Sequence, residues 1–235
     1  VPSTGRLLRS LPEPLLDKSL TRYHILVNGA QVYDSFEDKT LLREELTPQQ
    51  AMCMLHFLKS RNVLRGVYTD GLGHMSREDF SEIEAVAASP ATAALMRRSY
   101  QTDEDLDAVT AQHNSVQKII AFFRNPDDKQ ATIREITARF PGYAVSSSLG
   151  NNIEINAQNA TKGSALCFLC EKIGVPIGQC MAFGDGTNDY SMLRAAGFGV
   201  AMGNASEEVQ SCADAVTETN EEDGVARMIE RVLGL

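Results

Sequence analysis

The chain contains no apolar run approaching the roughly 18 residues needed to cross a bilayer, and no basic segment leads into an apolar one near Val1. A protein without a membrane partner, expected in the cytoplasm, is the consequence. Clusters of Lys and Arg are missing as well. With 22 basic and 31 acidic side chains the formal net charge is -9, and nucleic-acid backbones are bound through basic clusters, so no nucleic-acid partner is expected. A small phosphorylated ligand is not excluded by the same charge, because it needs only one local positive site, which a metal ion and one or two basic side chains can supply. Paired cysteines are also lacking. Cys53, Cys167, Cys170, Cys180 and Cys212 are odd in number and scattered, which suits free thiols. Cys167 and Cys170 form a C-x-x-C, but inside a helical pattern beside Leu166 and Leu169 and with no second Cys or His pair at zinc spacing. They read as two small core residues. Repeats and low-complexity tracts are absent too.

What is present is ordinary globular composition, 43% hydrophobic and 23% charged over 235 residues, enough for one substantial core or two smaller ones. From Lys162 onward helix and strand alternate as in a parallel sheet with crossover helices. Lys162 to Ile173 has helical apolar spacing and Gly174 ends it; Met181 to Phe183 is a short strand; Ser191 to Ala196, Glu207 to Ala213 and Glu221 to Leu233 read as helices; Phe198 to Met202 and Ala215 to Thr217 read as strands. Strands this apolar belong in a sheet covered on both faces. Earlier, Tyr23 to Val27 reads as a strand entering a hairpin at Asn28-Gly29-Ala30. The middle of the chain predicts a separate α+β block: helices at Pro48 to Arg61, Phe80 to Ala88, Ser115 to Phe123 and Asp127 to Phe140, and strands at Val63 to Thr69, Tyr143 to Ser147 and Ile153 to Ile155.

Chemistry concentrates in Gly184-Asp185-Gly186-Thr187-Asn188-Asp189, directly between a strand and a helix. Magnesium takes hard oxygen ligands, commonly one or two carboxylates with waters and phosphate oxygens, and Asp185 and Asp189 suit that shell. The glycines let the chain approach a ligand closely. The helix that follows offers free N–H groups to a phosphate, and ligands of open α/β sheets bind beyond the carboxyl ends of strands. Alone, the pattern is equally a polar turn with a helix cap. Calcium-loop spacing fails, since Tyr190 and Ala196 stand where Gly and Glu are needed. Dinucleotide, P-loop and G-x-S-x-G fingerprints are absent.

That loop, together with Phe198 to Ala205 and Asp223-Gly224-Val225-Ala226, resembles the haloacid dehalogenase-like phosphohydrolase superfamily, most closely its Cof-type branch. The likeness is strong over 159–235 and clear over 3–34. It implies an α/β fold with a Rossmannoid core built on a parallel sheet (1–47 and 158–235) and an inserted α/β cap (48–157). It further implies a magnesium-dependent phosphatase of small metabolites, sugar phosphates or phosphorylated cofactors, working through an aspartyl-phosphate. Asp185 becomes a Mg2+ ligand, Asp189 a second ligand or water-mediated contact, and Asn188 a phosphate contact. Thr161-Lys162-Gly163 resembles the motif whose lysine neutralises the phosphate; a lysine in the first turn of a helix is mildly disfavoured by the helix dipole, and an anionic partner would explain it. Ser3-Thr4-Gly5-Arg6 resembles the motif whose hydroxyl binds the transferring phosphoryl group, with Thr4 in that place and Gly5 and Arg6 beside the ligand. Asn28 either faces the site or makes its turn. Glu154 and Asn156 either reach the substrate or are polar residues of the hinge strand. By themselves Lys162 reads as an exposed lysine and Thr4 as a helix cap.

The motif D-x-D-G-T, which supplies the nucleophile in that family, is not among the residues given. Val1-Pro2 opens the chain and its first methionine is Met52. The expectation is that a longer source protein carries the nucleophile upstream on a strand beside the one bearing Asp185, and that these 235 residues alone are inactive. Asp70-Gly71 and Asp103-x-Asp105 fall in the inserted block and are rejected as substitutes. A phosphomutase, or a phosphometabolite-binding protein without catalysis, remains the alternative. A monomer or homodimer is expected.

Overall fold

The computed structural model describes residues 1–235. They divide into two compact units, Val1–Ala160 and Thr161–Leu235. No helix is long and apolar enough to cross a membrane.

The first unit holds α1 (Glu13–Leu16), β1 (Tyr23–Leu26), β2 (Gln31–Asp34), β3 (Lys39–Arg43), α2 (Pro48–Lys59), β4 (Val63–Thr69), β5 (Leu72–Ser76), α3 (Arg77–Ser81), α4 (Pro90–Ser99), β6 (Tyr100–Asp103), α5 (Leu106–Gln112), β7 (Lys118–Phe123), α6 (Asp127–Arg139), β8 (Tyr143–Ser146) and β9 (Asn152–Ala157). β1, β2 and β3 form an antiparallel sheet in that order. The hairpin expected at Asn28 is present, with Leu26 opposite Gln31. Its turn is unusual: Val27, Asn28 and Gly29 have φ of 51°, 61° and 100° in succession. Asn and Gly tolerate this region, whereas a β-branched residue there is strained. Val27 is held in it by complete burial and by its N–H, which donates to Arg6 O at 3.1 Å.

The second sheet of this unit is six-stranded, in the order β6-β5-β4-β7-β9-β8, antiparallel except for the parallel β5/β6 pair. β7 corrects the helix expected over Ser115 to Phe123. All six of its residues are buried and it pairs with β4 on one side and β9 on the other. A strand covered on both faces loses the alternation that marks a half-buried one and reads as a plain apolar run. One face packs against α2, where Ala51, Met54, Leu55 and Leu58 are buried at helical spacing behind a Thr47/Gln50 capping box. The other carries Leu64, Met75, Tyr100, Ile120 and Phe122 under the segment of α3 and α4. The helix expected over Phe80 to Ala88 is in fact α3 followed by a single 3-10 turn, Ile83–Ala85.

The second unit runs α7 (Lys162–Ile173), β10 (Met181–Gly184), α8 (Tyr190–Ala195), β11 (Phe198–Ala201), α9 (Glu207–Gln210), β12 (Ala215–Val216) and α10 (Gly224–Leu233). Its three strands are parallel in chain order, β10-β11-β12, the alternation read from the sequence. Gly174 closes α7 at φ 72°, its N–H and that of Val175 reaching back to Cys170 O. Cys167 is exposed rather than in the core, and Cys170 is buried.

Candidate active site

In the second unit the chain leaves β10 at Gly184, passes a 3-10 turn at Thr187–Asp189 and enters α8. Asp189 organises this loop. Its carboxylate is buried, and Oδ2 accepts the backbone N–H of Asp185 and of Gly186, each at 3.0 Å. Oδ1 accepts from Lys162 Nζ at 2.5 Å, and both side chains are 6% exposed. The lysine at the first position of α7 thus has an anionic partner that offsets its unfavourable place at the positive end of the helix dipole. Gly184 is required where it is, since a Cβ there would stand 2.4 Å from Asp189 Cβ. Gly163 allows a similar approach between α7 and α8: a Cβ would meet Ser191 O at 2.3 Å, and its N–H donates to Ser191 Oγ at 3.0 Å.

Asp185 is in a different state. It is exposed, with Oδ2 accepting from Asn204 Nδ2 at 3.2 Å, and Asn204 is held in turn by the Asn220 N–H at 3.1 Å. Asn188 is half-buried beside Gly186. The donor set fits magnesium as an ion that keeps most of its waters: one solvent-open carboxylate at a strand end suits it, and no group of three or more His, Cys, Asp or Glu is present to make a fuller protein cage. The Asp189 oxygens already accept three hydrogen bonds, whereas the Asp185 carboxylate accepts one, from Asn204.

In the first unit Thr4, Gly5, Arg6 and Asn28 come together. The segment runs beside β1 through a Ser3/Ile25 bridge, with Thr4 N–H donating to Ile25 O and Asn28 N–H to Thr4 O. Thr4 Oγ1 accepts from Arg6 N–H at 3.1 Å. Arg6 is exposed, its guanidinium reaching Ser10 O at 3.3 Å. Asn28 makes the turn and also turns its amide inward, where Nδ2 donates to Glu154 Oε2 at 2.5 Å and to Asn156 Oδ1 at 3.3 Å.

Glu154 and Asn156 are 4% and 1% exposed. Asn156 Nδ2 donates to Val27 O and Gln117 O, and Glu154 Oε1 accepts from Ser148 Oγ and lies 3.2 Å from Lys118 Nζ. Both residues lie on β9 of the six-stranded sheet. Burial alone would raise the Glu154 carboxyl, but the charge of Lys118 and the hydrogen bonds from Asn28, Ser148 and Lys118 prevail and lower it. Lys118 was not legible as a partner. It stands at the head of an apolar run, and nothing local marks a lysine that pairs with a carboxylate on a neighbouring but sequence-distant strand.

A family model described as haloacid dehalogenase-like hydrolase matches residues 1–229. The chain belongs to that family. Among its relatives, Phosphatase YwpJ of Bacillus subtilis (strain 168) is 32% identical over 254 residues, spanning 99% of this chain and 87% of the relative. The 5-amino-6-(5-phospho-D-ribitylamino)uracil phosphatase YcsE of the same organism is 28% identical over 97% of this chain and 79% of its own length. A solved haloacid dehalogenase-like hydrolase from B. subtilis superposes with a TM-score of 0.81 at 30% identity, covering 97% of this chain and 85% of that one. The α/β fold expected from the sequence is therefore that of the haloacid dehalogenase-like hydrolases, and the enzyme class is phosphoric monoester hydrolase.

Proposed function

We propose that this haloacid dehalogenase-like hydrolase removes phosphate from small phosphorylated metabolites, sugar phosphates or phosphorylated cofactor precursors, with magnesium held at Asp185. The observation that carries the reading is the division of labour between two carboxylates of one loop. Asp189 is buried and spent on Lys162 and two backbone amides, while Asp185 is left open at the strand end. A loop built only as a turn has no use for a buried lysine–carboxylate pair, which is costly to desolvate.

Magnesium bound there would supply positive charge to the phosphoryl oxygens. Lys162 would add a second charge: Asp189 takes one of the three donors of its ammonium group, so the others remain for an anionic oxygen. Thr4 Oγ1 already accepts the Arg6 N–H, so its own proton is free to be donated to the phosphoryl group. Gly5, Arg6 and Asn188 are further proposed phosphate contacts, Arg6 by a bidentate one, and Asn28, whose amide is turned to Glu154 and Asn156, supports the turn that carries Thr4 to Arg6. Residues 48–157 are the proposed cap that selects the substrate. The relative named for a phosphoribitylamino-uracil supports a phosphorylated small metabolite as substrate.

The test is phosphate release by the full-length protein from p-nitrophenyl phosphate and a panel of sugar phosphates, before and after chelation of divalent metal. Activity lost on chelation and restored by Mg2+ is expected; metal-independent hydrolysis would remove Asp185 from the proposal.

A further inference from the structure

The buried network behind the Thr4–Arg6 turn joins parts of the chain far apart in sequence. Lys118 Nζ donates to Gly5 O at 2.9 Å, lies 3.2 Å from Glu154 Oε1, and sits 4.7 Å over the Tyr68 ring. Glu154 Oε2 takes the Asn28 amide. The space closes over Gly5, where a Cβ would meet Asn28 Oδ1 at 2.8 Å and Glu154 Oε2 at 3.1 Å. The two ions of the pair are 4% and 5% exposed.

From this geometry we infer that Lys118, Glu154 and Asn28 are positioning residues that fix the Gly5–Arg6 peptide and, through it, the direction in which the Thr4 hydroxyl donates. Planarity couples the carbonyl and N–H of one peptide unit. Lys118 holds the Gly5 carbonyl; the N–H across the same plane, that of Arg6, points at Thr4 Oγ1. With its acceptor role filled by that N–H, the hydroxyl has its proton left to offer to an anionic oxygen. None of the three side chains needs to touch substrate. The network acts on the orientation of a group that does, and misorientation by about 1 Å can cost about 100-fold in rate. The inference rests on the phosphohydrolase reading of Thr4.

A buried ion pair also invites a purely structural explanation, and the two roles separate experimentally. Removing one ion leaves the other buried without a partner, whereas replacing both by groups of similar shape restores stability. Lys118→Met and Glu154→Gln should each lower the melting temperature of the full-length protein, and Lys118→Met/Glu154→Gln should recover most of it. If the network positions Thr4, the double variant keeps kcat for p-nitrophenyl phosphate depressed by about 10- to 100-fold. It should also bind inorganic phosphate more weakly, as read by thermal shift. If kcat and phosphate binding return with stability, the network only holds the fold and the inference is overturned. Should the wild-type protein bind phosphate without hydrolysing the ester, the hydrolase reading fails, and the phosphate-binding comparison still decides the positioning claim in the same two ways.

Discussion

Asp189→Asn removes the anion from the pair with Lys162 while keeping a carbonyl oxygen that can still accept the Asp185 and Gly186 N–H groups. The ammonium group, 6% exposed, then lies buried opposite a neutral amide. Deleting one member of a buried ion pair costs about 3–5 kcal/mol, and the retained loop bonds place this variant near about 3 kcal/mol. For a chain of this length 1 kcal/mol corresponds to about 2–4 °C in melting temperature, so a drop of about 6–12 °C is expected. Asp189→Ala loses the loop acceptors as well, at about 1–3 kcal/mol for each stranded donor, and should melt lower still. Lys162→Met/Asp189→Asn takes the charge out of the interior altogether and should recover most of the loss. Differential scanning calorimetry of the four proteins makes the comparison. If Asp189→Asn melts within about 2 °C of wild type, or the double variant is no more stable than Asp189→Asn, the pair does not hold the loop as argued.

Two other outcomes follow from packing and charge. The Glu154 carboxyl is lowered in the folded protein, so its stabilising contribution is present above the ordinary carboxylate range and is lost as pH falls through the folded value. Glu154→Gln should therefore show a smaller fall in melting temperature between about pH 6 and about pH 3 than wild type, and an unchanged acid limb would contradict that assignment. Gly163→Ala would place a methyl 2.3 Å from Ser191 O and force α7 from α8, costing about 1–3 kcal/mol by overpacking; a variant as stable as wild type on chemical denaturation would show that the approach is not required.

The second unit was legible because its signals are local. Thr161, Gly174 and the short apolar runs at 181–184 and 198–201 mark their own boundaries, and the Asp185/Asp189 loop sits between a strand and a helix as its spacing implies. What the sequence could not show was how those two carboxylates differ, because burial and the Lys162 partner are tertiary facts. In the first unit β7 was misread for want of alternation, and β5, α4, β6 and α5 were not foreseen. There, polar stretches such as 101–107 carry a short strand and a helix whose cap, Asp105, accepts the N–H groups of Asp107 and Ala108. Lys118 and Glu154 meet only through the β4-β7-β9 order of the sheet, and no local pattern announces a pairing set by strand order.

The account depends most on Asp185 as the open carboxylate of the loop. Hydrolysis of p-nitrophenyl phosphate across a Mg2+ titration, by the full-length wild-type protein and its Asp185→Ala variant, tests it directly. An exposed side chain bonded only to Asn204 should be removable with little change in melting temperature. The expected result is a folded variant whose Mg2+-dependent activity is abolished. A folded Asp185→Ala protein that keeps wild-type activity at the same Mg2+ concentration would contradict the assignment.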